Sequence, residues 1–339
     1  MGSVKDLEVL KSPKNDTAGI ARFIFSDRYS VFDWGQMPDD IESKGKAICL
    51  IGAYFFEQLE EMGINTHYRG VVENNTLKRV SELDEPTNVL EISLLRVLKP
   101  KIDQEKYDYS LYNPTLSNIL IPLEIIYRNA LPAGSSVFKR IKENTLDIRS
   151  IGLDEIPTPG QVLKTPILDF STKLESTDRY ISYDETKKIA GLSDDEFEKI
   201  KTITTKINHF ITESVEKVGL VNEDGKIELG FGKNRSITVV DVLGTPDECR
   251  FTLDGMPLSK EFLRLFYRNT SWAKEVDRAK KKHGIEWKSY VKSSPTPLPD
   301  NLRVLSSSIY TSFCNALTGI KFFDTDPLEE VTKRMKETF

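Results

Sequence analysis

A chain of 339 residues has room for two domains or one large one. Its 39% hydrophobic and 29% charged residues are ordinary for a soluble globular protein, and a net charge of −5 with intermixed signs speaks against a nucleic-acid coat while leaving room for local basic pockets. Cys49, Cys249 and Cys314 are far apart and no CxxC or Cys/His spacing occurs, which excludes a zinc or disulfide framework and fits a reducing, cytoplasmic setting.

The opening residues, MGSVKDLEVLKS, carry no apolar signal core, and nowhere does an apolar run approach the roughly 18 residues that cross a bilayer, so no membrane partner is expected. Residues 20–25, IARFIF, read as a short strand, followed by a polar and aromatic loop over 26–35. From Lys46 to Met62 the apolar positions 48, 51, 55, 59 and 62 fall at helical spacing, and Gly63 ends the helix. Residues 89–100 look like a strand closed by proline, and 101–118 like a polar loop.

The stretch 119–143, ILIPLEIIYRNALPAGSSVFKRIKE, organises the middle of the chain. A branched apolar run, as in a buried strand, turns polar at Glu124, Arg128 and Asn129, then meets the breaker cluster Pro132-Ala133-Gly134-Ser135-Ser136 and the basic pair Lys139-Arg140. Arg offers a bidentate fork to phosphate or carboxylate, and a Gly-Ser loop adds backbone and hydroxyl donors, so the stretch reads as an anion cradle; the bland alternative is a strand ending in an ordinary loop.

Residues 144–186, with prolines at 157, 159 and 166, show little periodicity and read as a long connection of the functional kind. Ser193 and Glu196 then form a capping box for a helix whose apolar face runs from Phe197 to Val218 and which Gly219 closes. Two strands follow, 226–232 and 236–243, with Asn234-Arg235 as a two-residue turn. That register sets Glu228 directly opposite Asp241, about 5 Å apart between Cβ atoms, where like charges repel unless a cation joins them. Mg²⁺, which commonly takes one or two carboxylates plus substrate phosphates, would supply it, with Lys226 on the same face available to a nucleotide. A one-residue slip would instead put the acids on opposite faces. Arg250, after the turn at 244–248, is a second anion-ligand candidate. Residues 258–283 read as one helix, 300–317 as another that Asp300 caps and Gly319 ends, and the tail from Asp324 as charged and frayed.

Together these pieces resemble the SAICAR synthetase (phosphoribosylaminoimidazole-succinocarboxamide synthase) family. PLEIIYRNALPAGSSVFKR is similar to its P-[LIV]-E-[LIV]-x-x-R strand and Gly-Ser loop; SDRYSVFD (26–33), the helix and INTH of 44–67, STK (171–173), GTPDECRF (244–251), LPDNL and LTGIKFF recur in the family's order, covering roughly residues 12–323. The resemblance implies an α+β fold of two lobes, ATP-grasp-like, with antiparallel sheets flanked by helices, divided here as 1–122 and 123–339. It implies an ATP-dependent carbon–nitrogen ligase of de novo purine biosynthesis, whose small-molecule partners are carboxyaminoimidazole ribonucleotide (CAIR), L-aspartate and ATP, with Mg²⁺, and for which a homo-oligomer is allowed.

Carried over position by position, Arg128, Gly134, Ser135, Ser136 and Arg250 correspond to ribonucleotide ligands, with Asp33 and Asp178 among the substrate contacts. Glu228 and Asp241 correspond to the Mg²⁺ carboxylates; Lys226, Lys14 and the hinge residues Ile121 and Glu124 correspond to ATP contacts. Arg128, Lys173 and Asp241 are the expected catalytic set. The extra loop residue leaves Ser135 and Ser136 as alternatives. Three features depart from the family: Val242 follows Asp241 where an acid is usual, the N-terminal phosphate hairpin is poorly matched, and 68–118 is longer. Another ATP-dependent ligase or kinase on this scaffold, or an inactive nucleotide-binding homologue, are the competing readings.

Overall fold

The computed structural model describes residues 4–103 and 106–338. Two antiparallel sheets form the framework. In the first, β1 (Lys5–Lys11) and β2 (Gly19–Phe25) form a hairpin, and α1 (Lys44–Glu61) follows. The helix buries Ile48, Ile51, Phe55 and Leu59 at the predicted spacing, and Gly63, at φ 74°, ends it. β3 (Tyr68–Glu73), β4 (Thr76–Lys78) and β5 (Val89–Leu94) complete a sheet of order β1-β2-β5-β3-β4.

The predicted loop at 101–118 carries a small hairpin, β6 (Lys101–Asp103) and β7 (Lys106–Asp108). β8 (Ile119–Leu120) and β9 (Leu123–Leu131) then open the second sheet, and α2 (Ser136–Lys142) follows. Between 144 and 186 the long connection gives way to β10 (Gln161–Thr172) and β11 (Tyr180–Ile181), with α3 (Tyr183–Ala190) starting at its end. β10 hydrogen-bonds along β9, so backbone pairing rather than side-chain periodicity makes this strand; its first half is exposed and its last residues are buried on both faces, which leaves no alternation to read. α4 (Asp194–Glu216) has the predicted capping box: the Glu196 N–H donates to Ser193 Oγ at 3.2 Å and the Ser193 N–H to Glu196 Oε2 at 3.0 Å.

β12 (Val221–Phe231) is the hub. Its first half pairs with β9 and with β14 (Cys249–Leu253); its second half pairs with β8 and with β13 (Ile237–Val240). β15 (Met256–Pro257) closes that edge. The predicted helix at 258–283 is two, α5 (Glu261–Arg268) and α6 (Ser271–His283), because Thr270 breaks the first and caps the second, its Oγ1 accepting from the Ala273 N–H at 3.1 Å. α7 (Asp300–Thr318) ends at Gly319, φ 70°, as expected, although Pro299 and not Asp300 stands at its N-cap. The tail is not frayed: α8 (Leu328–Thr338) buries Leu328, Val331 and Met335 against α7, a spacing that the surrounding charges mask. Among the described residues no helix is long and apolar enough to cross a membrane.

One face of the second sheet is core. Ile125 and Tyr127 on β9, Phe170 on β10, and Ile227 and Leu229 on β12 are buried with Phe197, Ile200, Ile207 and Ile211 of α4. The residues between them point the other way, and many of these are charged.

Candidate active site

Period-2 alternation turns Glu124 and Arg128 of β9, Asp169 and Ser171 of β10, Asp224, Lys226 and Glu228 of β12, and Arg250 of β14 to one face. Cross-strand register aligns three of them: Asp224 pairs with Arg128 on one side and with Arg250 on the other. Arg128 Nη1 lies 3.4 Å and Arg250 Nε 3.3 Å from the Asp224 carboxylate. Arg128 is 1% exposed and also reaches Asp169 at 3.2 Å, Ser136 Oγ at 3.1 Å, Tyr180 OH at 3.3 Å and Ser135 Oγ at 3.4 Å. Even so, Arg128 Nε and Arg250 Nη1 are buried without a hydrogen-bond partner among the described residues. A buried guanidinium N–H left unpaired is costly, and an anion is the natural acceptor. A Cβ on Gly134 would lie 3.9 Å from that free Arg250 nitrogen, so the Gly-Ser loop sits beside it.

The two serines divide the work of the loop. Ser135 is buried and caps α2, its Oγ accepting from the Val137 N–H at 3.4 Å. Ser136 Oγ instead bonds Tyr180 OH at 2.8 Å, at the edge of the cleft. The cleft itself is a cavity of about 270 Å³ lined by Glu124, Arg128, Asp178, Lys226, Arg250 and Lys260, five of them expected from the sequence. Burial, then the charge of Glu124, pushes the Asp178 carboxyl up to about 6. Asp33, at φ 57°, bonds Lys280 at 2.6 Å; burial opposes its charge, yet Lys280, Arg264 and Lys260 together hold its carboxyl below the usual range.

Beside this cavity, acids and lysines alternate. Lys226 Nζ is 2.7 Å from Glu124 and 3.5 Å from both Glu228 and Glu248. Lys173 Nζ is 2.5 Å from Glu228 and 3.6 Å from Glu124. Lys5 of β1 pairs with Asp241 and so ties the first sheet to the second. The Glu228 carboxyl is raised by burial and then by the neighbouring charge of Asp241. Burial also works against ionised Asp241, but Lys5 and Lys173 hold it well below the usual carboxylate range.

The two acids meet by a route that differs from the expected one. Glu228 pairs with Val240, not Asp241, and Phe231 with Ile237, so the connection spans residues 232–236 rather than two residues. This is the one-residue slip. Asp241 lies beyond the strand at φ 63°, a left-handed conformation that turns its side chain out of the alternation. Buried His67 fixes that corner: its Nε2 lies 3.1 Å from the Asp241 carbonyl oxygen, and burial lowers the imidazole to about 4, leaving a neutral ring that donates there.

Two residues expected as ATP contacts, Ile121 and Lys14, are not among those lining this cavity. Ile121 is buried, and its N–H donates to the Leu229 carbonyl at 3.0 Å. Lys14 is exposed on the β1–β2 turn, where its carbonyl accepts from the Asn118 side chain at 2.5 Å. Sequence reading missed Lys5, His67, Asp169, Tyr180, Asp224, Glu248 and Lys260. Asp224 had a signal: the alternation of Lys226 and Glu228, extended back by two, reaches it. Lys5 had none, since its partner lies in the other sheet.

Residues 8–279 match the family model described as SAICAR synthetase. A phosphoribosylaminoimidazole-succinocarboxamide synthase of Thermoplasma acidophilum is 31% identical over 328 residues, 95% of this chain and 98% of its own length. A protein of Archaeoglobus fulgidus that carries the same name provisionally is 51% identical over 337 residues, 99% of each chain. A solved SAICAR synthetase in complex with ADP has a TM-score of 0.55 at 25% identity, covering 88% of this chain and 99% of that one. The Saccharomyces cerevisiae SAICAR synthase complexed with SAICAR, at 22% identity and a TM-score of 0.62 over 96% of this chain and 95% of its own, shares the fold. With most of its length matched by the family model and nearly all of it aligned to these relatives, this chain belongs to the SAICAR synthetase family.

Proposed function

We propose that this chain is the ATP-dependent carbon–nitrogen ligase of purine biosynthesis that joins L-aspartate to CAIR, giving SAICAR, ADP and phosphate. The observation that carries the reading is the row of Arg128, Asp224 and Arg250, with its two unpartnered donors, set on the same sheet face as the lysine-bridged acids Glu124 and Glu228. One half of that face suits a ribonucleotide phosphate, the other a nucleotide triphosphate.

A carboxylate is a poor acyl donor. Transfer of the γ-phosphoryl group from ATP to the CAIR carboxylate gives an acyl phosphate and ADP. The aspartate amine then attacks the acyl carbon, the amide forms, and phosphate leaves. Such a site works by holding and charge stabilisation rather than by a protein nucleophile. Arg250 and Ser136, beside Gly134, hold the ribonucleotide phosphate; Ser135 positions the loop through its cap, and buried Arg128 organises Asp169, Asp224 and both serines while offering its free Nε. Lys173 and Lys226 stabilise charge on the transferring phosphoryl group, with Lys5 added to them from the first sheet. Asp178 receives the aspartate amine, with Asp33 close enough for its charge to act on that carboxyl.

The acid pair also fits a divalent cation. Glu228 and Asp241 are neighbouring carboxylates whose repulsion Lys173 and Lys5 now offset, although no set of three metal-ligating side chains occurs among the described residues. Two carboxylates completed by substrate phosphates suit Mg²⁺, which would neutralise and orient those phosphates when bound. A division at 1–122 and 123–339 falls near the gap between the two sheets, whose strands run from 5 to 94 and from 119 to 257, and leaves the short strand β8 on the far side from its sheet. Three buried free thiols suit the cytoplasm.

The test is aspartate-dependent ADP release from purified protein given CAIR, ATP and Mg²⁺, with SAICAR identified by mass. Release with another amine in place of aspartate, or none at all, would overturn the reading, and turnover that survives chelation would remove the metal from it.

A further inference from the structure

Residues 173–178 form the loop between β10 and β11, and each end carries a side chain of the cleft: Lys173 against Glu228, and Asp178 in the cavity lining. The neck of the loop is closed by backbone and side chain, the Thr172 N–H donating to the Arg179 carbonyl at 3.0 Å and the Arg179 N–H to Thr172 Oγ1 at 3.1 Å. Its middle has no such support. Glu175, Ser176 and Thr177 border a cavity of about 1010 Å³, so little packing holds them from behind.

What spans the gap is β7 and the turn that follows it. The Ser176 N–H donates to Tyr107 OH at 2.8 Å, and Tyr109 OH donates to Glu175 Oε1 at 3.0 Å. Arg179 closes on the same carboxylate at 3.1 Å. The tyrosines have their own anchor: Tyr109 is buried, its ring centroid 6.1 Å from that of buried Tyr112. The two phenols, one of them fixed by burial, therefore join Arg179 in gripping the middle of the loop, which the sheet does not hold.

We propose that Tyr107 and Tyr109 are positioning residues that hold loop 173–178 so that Lys173 and Asp178 stand in the cleft. The inference rests on the ligase reading for its kinetic consequence and not for its structural one. If the loop is in place only part of the time, a ligand that touches it binds more weakly by the inverse of that fraction, whereas a ligand that does not is unaffected. L-Aspartate touches it; the ribonucleotide phosphate, held by the loop after β9, does not.

The test compares wild type with Tyr107→Phe/Tyr109→Phe, which keeps both rings and removes both hydroxyls. We expect kcat/KM for L-aspartate to fall roughly 5- to 10-fold, the scale of one or two lost hydrogen bonds. CAIR affinity by calorimetry should stay within twofold, and amide exchange at 173–178 should speed up with Tm unchanged. Unchanged aspartate kinetics would overturn the proposal, as would CAIR affinity and Tm falling in parallel, which marks a merely structural role. Tyr107→Phe alone serves if the double variant does not fold. Exchange is read without substrate, so unchanged protection at 173–178 counts against the positioning even if the wild type makes no SAICAR.

Discussion

Asp178 shows how one side chain's surroundings set a pH dependence. Its carboxyl sits near 6 because burial, and then Glu124, disfavour the charged form. A carboxylate that receives a cationic amine must be ionised, so kcat/KM for L-aspartate should rise with pH through about 6 and level off above it. Asp178→Asn should remove that limb and lower the plateau by about 10²-fold, on the scale of a positioned acid–base group. A pH–rate profile from 5 to 8 on both proteins decides it: a limb that persists in the variant belongs to another group. At this scale the sequence was legible where function rides on strand alternation. Lys226 and Glu228 share a face as their spacing implied, and Glu124, Arg128 and Arg250 lie on it with them. It was illegible where partners come from elsewhere in the chain. Asp241 reaches Glu228 through a positive φ and the grip of His67, and neither leaves a periodic trace. Lys5 meets Asp241 across 236 positions of sequence.

The strand β12 concentrates the same logic in one element, because it carries Asp224, Lys226 and Glu228 on one face while pairing with four other strands. Such a hub needs close neighbours, and Gly225 provides the room. It stands opposite Tyr127, and a Cβ there would fall 2.2 Å from the Tyr127 hydroxyl oxygen and 2.8 Å from Cys249 Sγ. Both neighbours are buried core, so neither can swing away. Gly225→Ala should therefore destabilise by overpacking, about 1–3 kcal/mol, read as a lower urea midpoint at unchanged slope. Full stability in that variant would mean that the sheet opens there at little cost. The element also explains what the sequence concealed. Reading the strand from Lys226 rather than Val221 hid Asp224, and assuming the shortest turn moved the register by one. Hairpin length depends on the local twist, which Asn234 and Arg235, both at positive φ, set within a five-residue connection. β10 stayed hidden because strand pairing, unlike helix amphipathicity, can impose order on a stretch without periodicity.

Across the whole molecule, the polar face of the second sheet adjoins the place where α1 is held to the segment that leads into β14. Lys44 and Asp247 join them by an ion pair of 2.8 Å with both side chains almost fully buried, and Tyr310 of α7 adds a hydrogen bond of 2.8 Å to the other carboxylate oxygen. One acid thus ties the first sheet's helix, the turn before Arg250 and α7 together. Burial opposes its charge, but Lys44 and Lys260 bring the carboxyl down to about 2 from an ordinary 3.8. A depressed carboxyl contributes stability that is present above the unfolded value and lost as pH falls through the folded one. The contribution is therefore full above about pH 5 and disappears between pH 4 and 2, on the order of 2 kcal/mol at one pKa unit per 1.36 kcal/mol. Asp247→Asn keeps the shape but leaves Lys44 buried without its counter-charge, which costs about 3–5 kcal/mol, more than the pKa shift alone, because the lysine's desolvation is no longer offset. Urea unfolding at pH 7 should show that loss, and the gap between wild type and variant should narrow steadily as the pH is lowered from 5 toward 2.5. A gap of under about 1 kcal/mol at pH 7, or one that does not change with pH, would mean that the packing of α1 on α7 alone holds the two sheets in register, and the buried pair would then have no part in shaping the cleft.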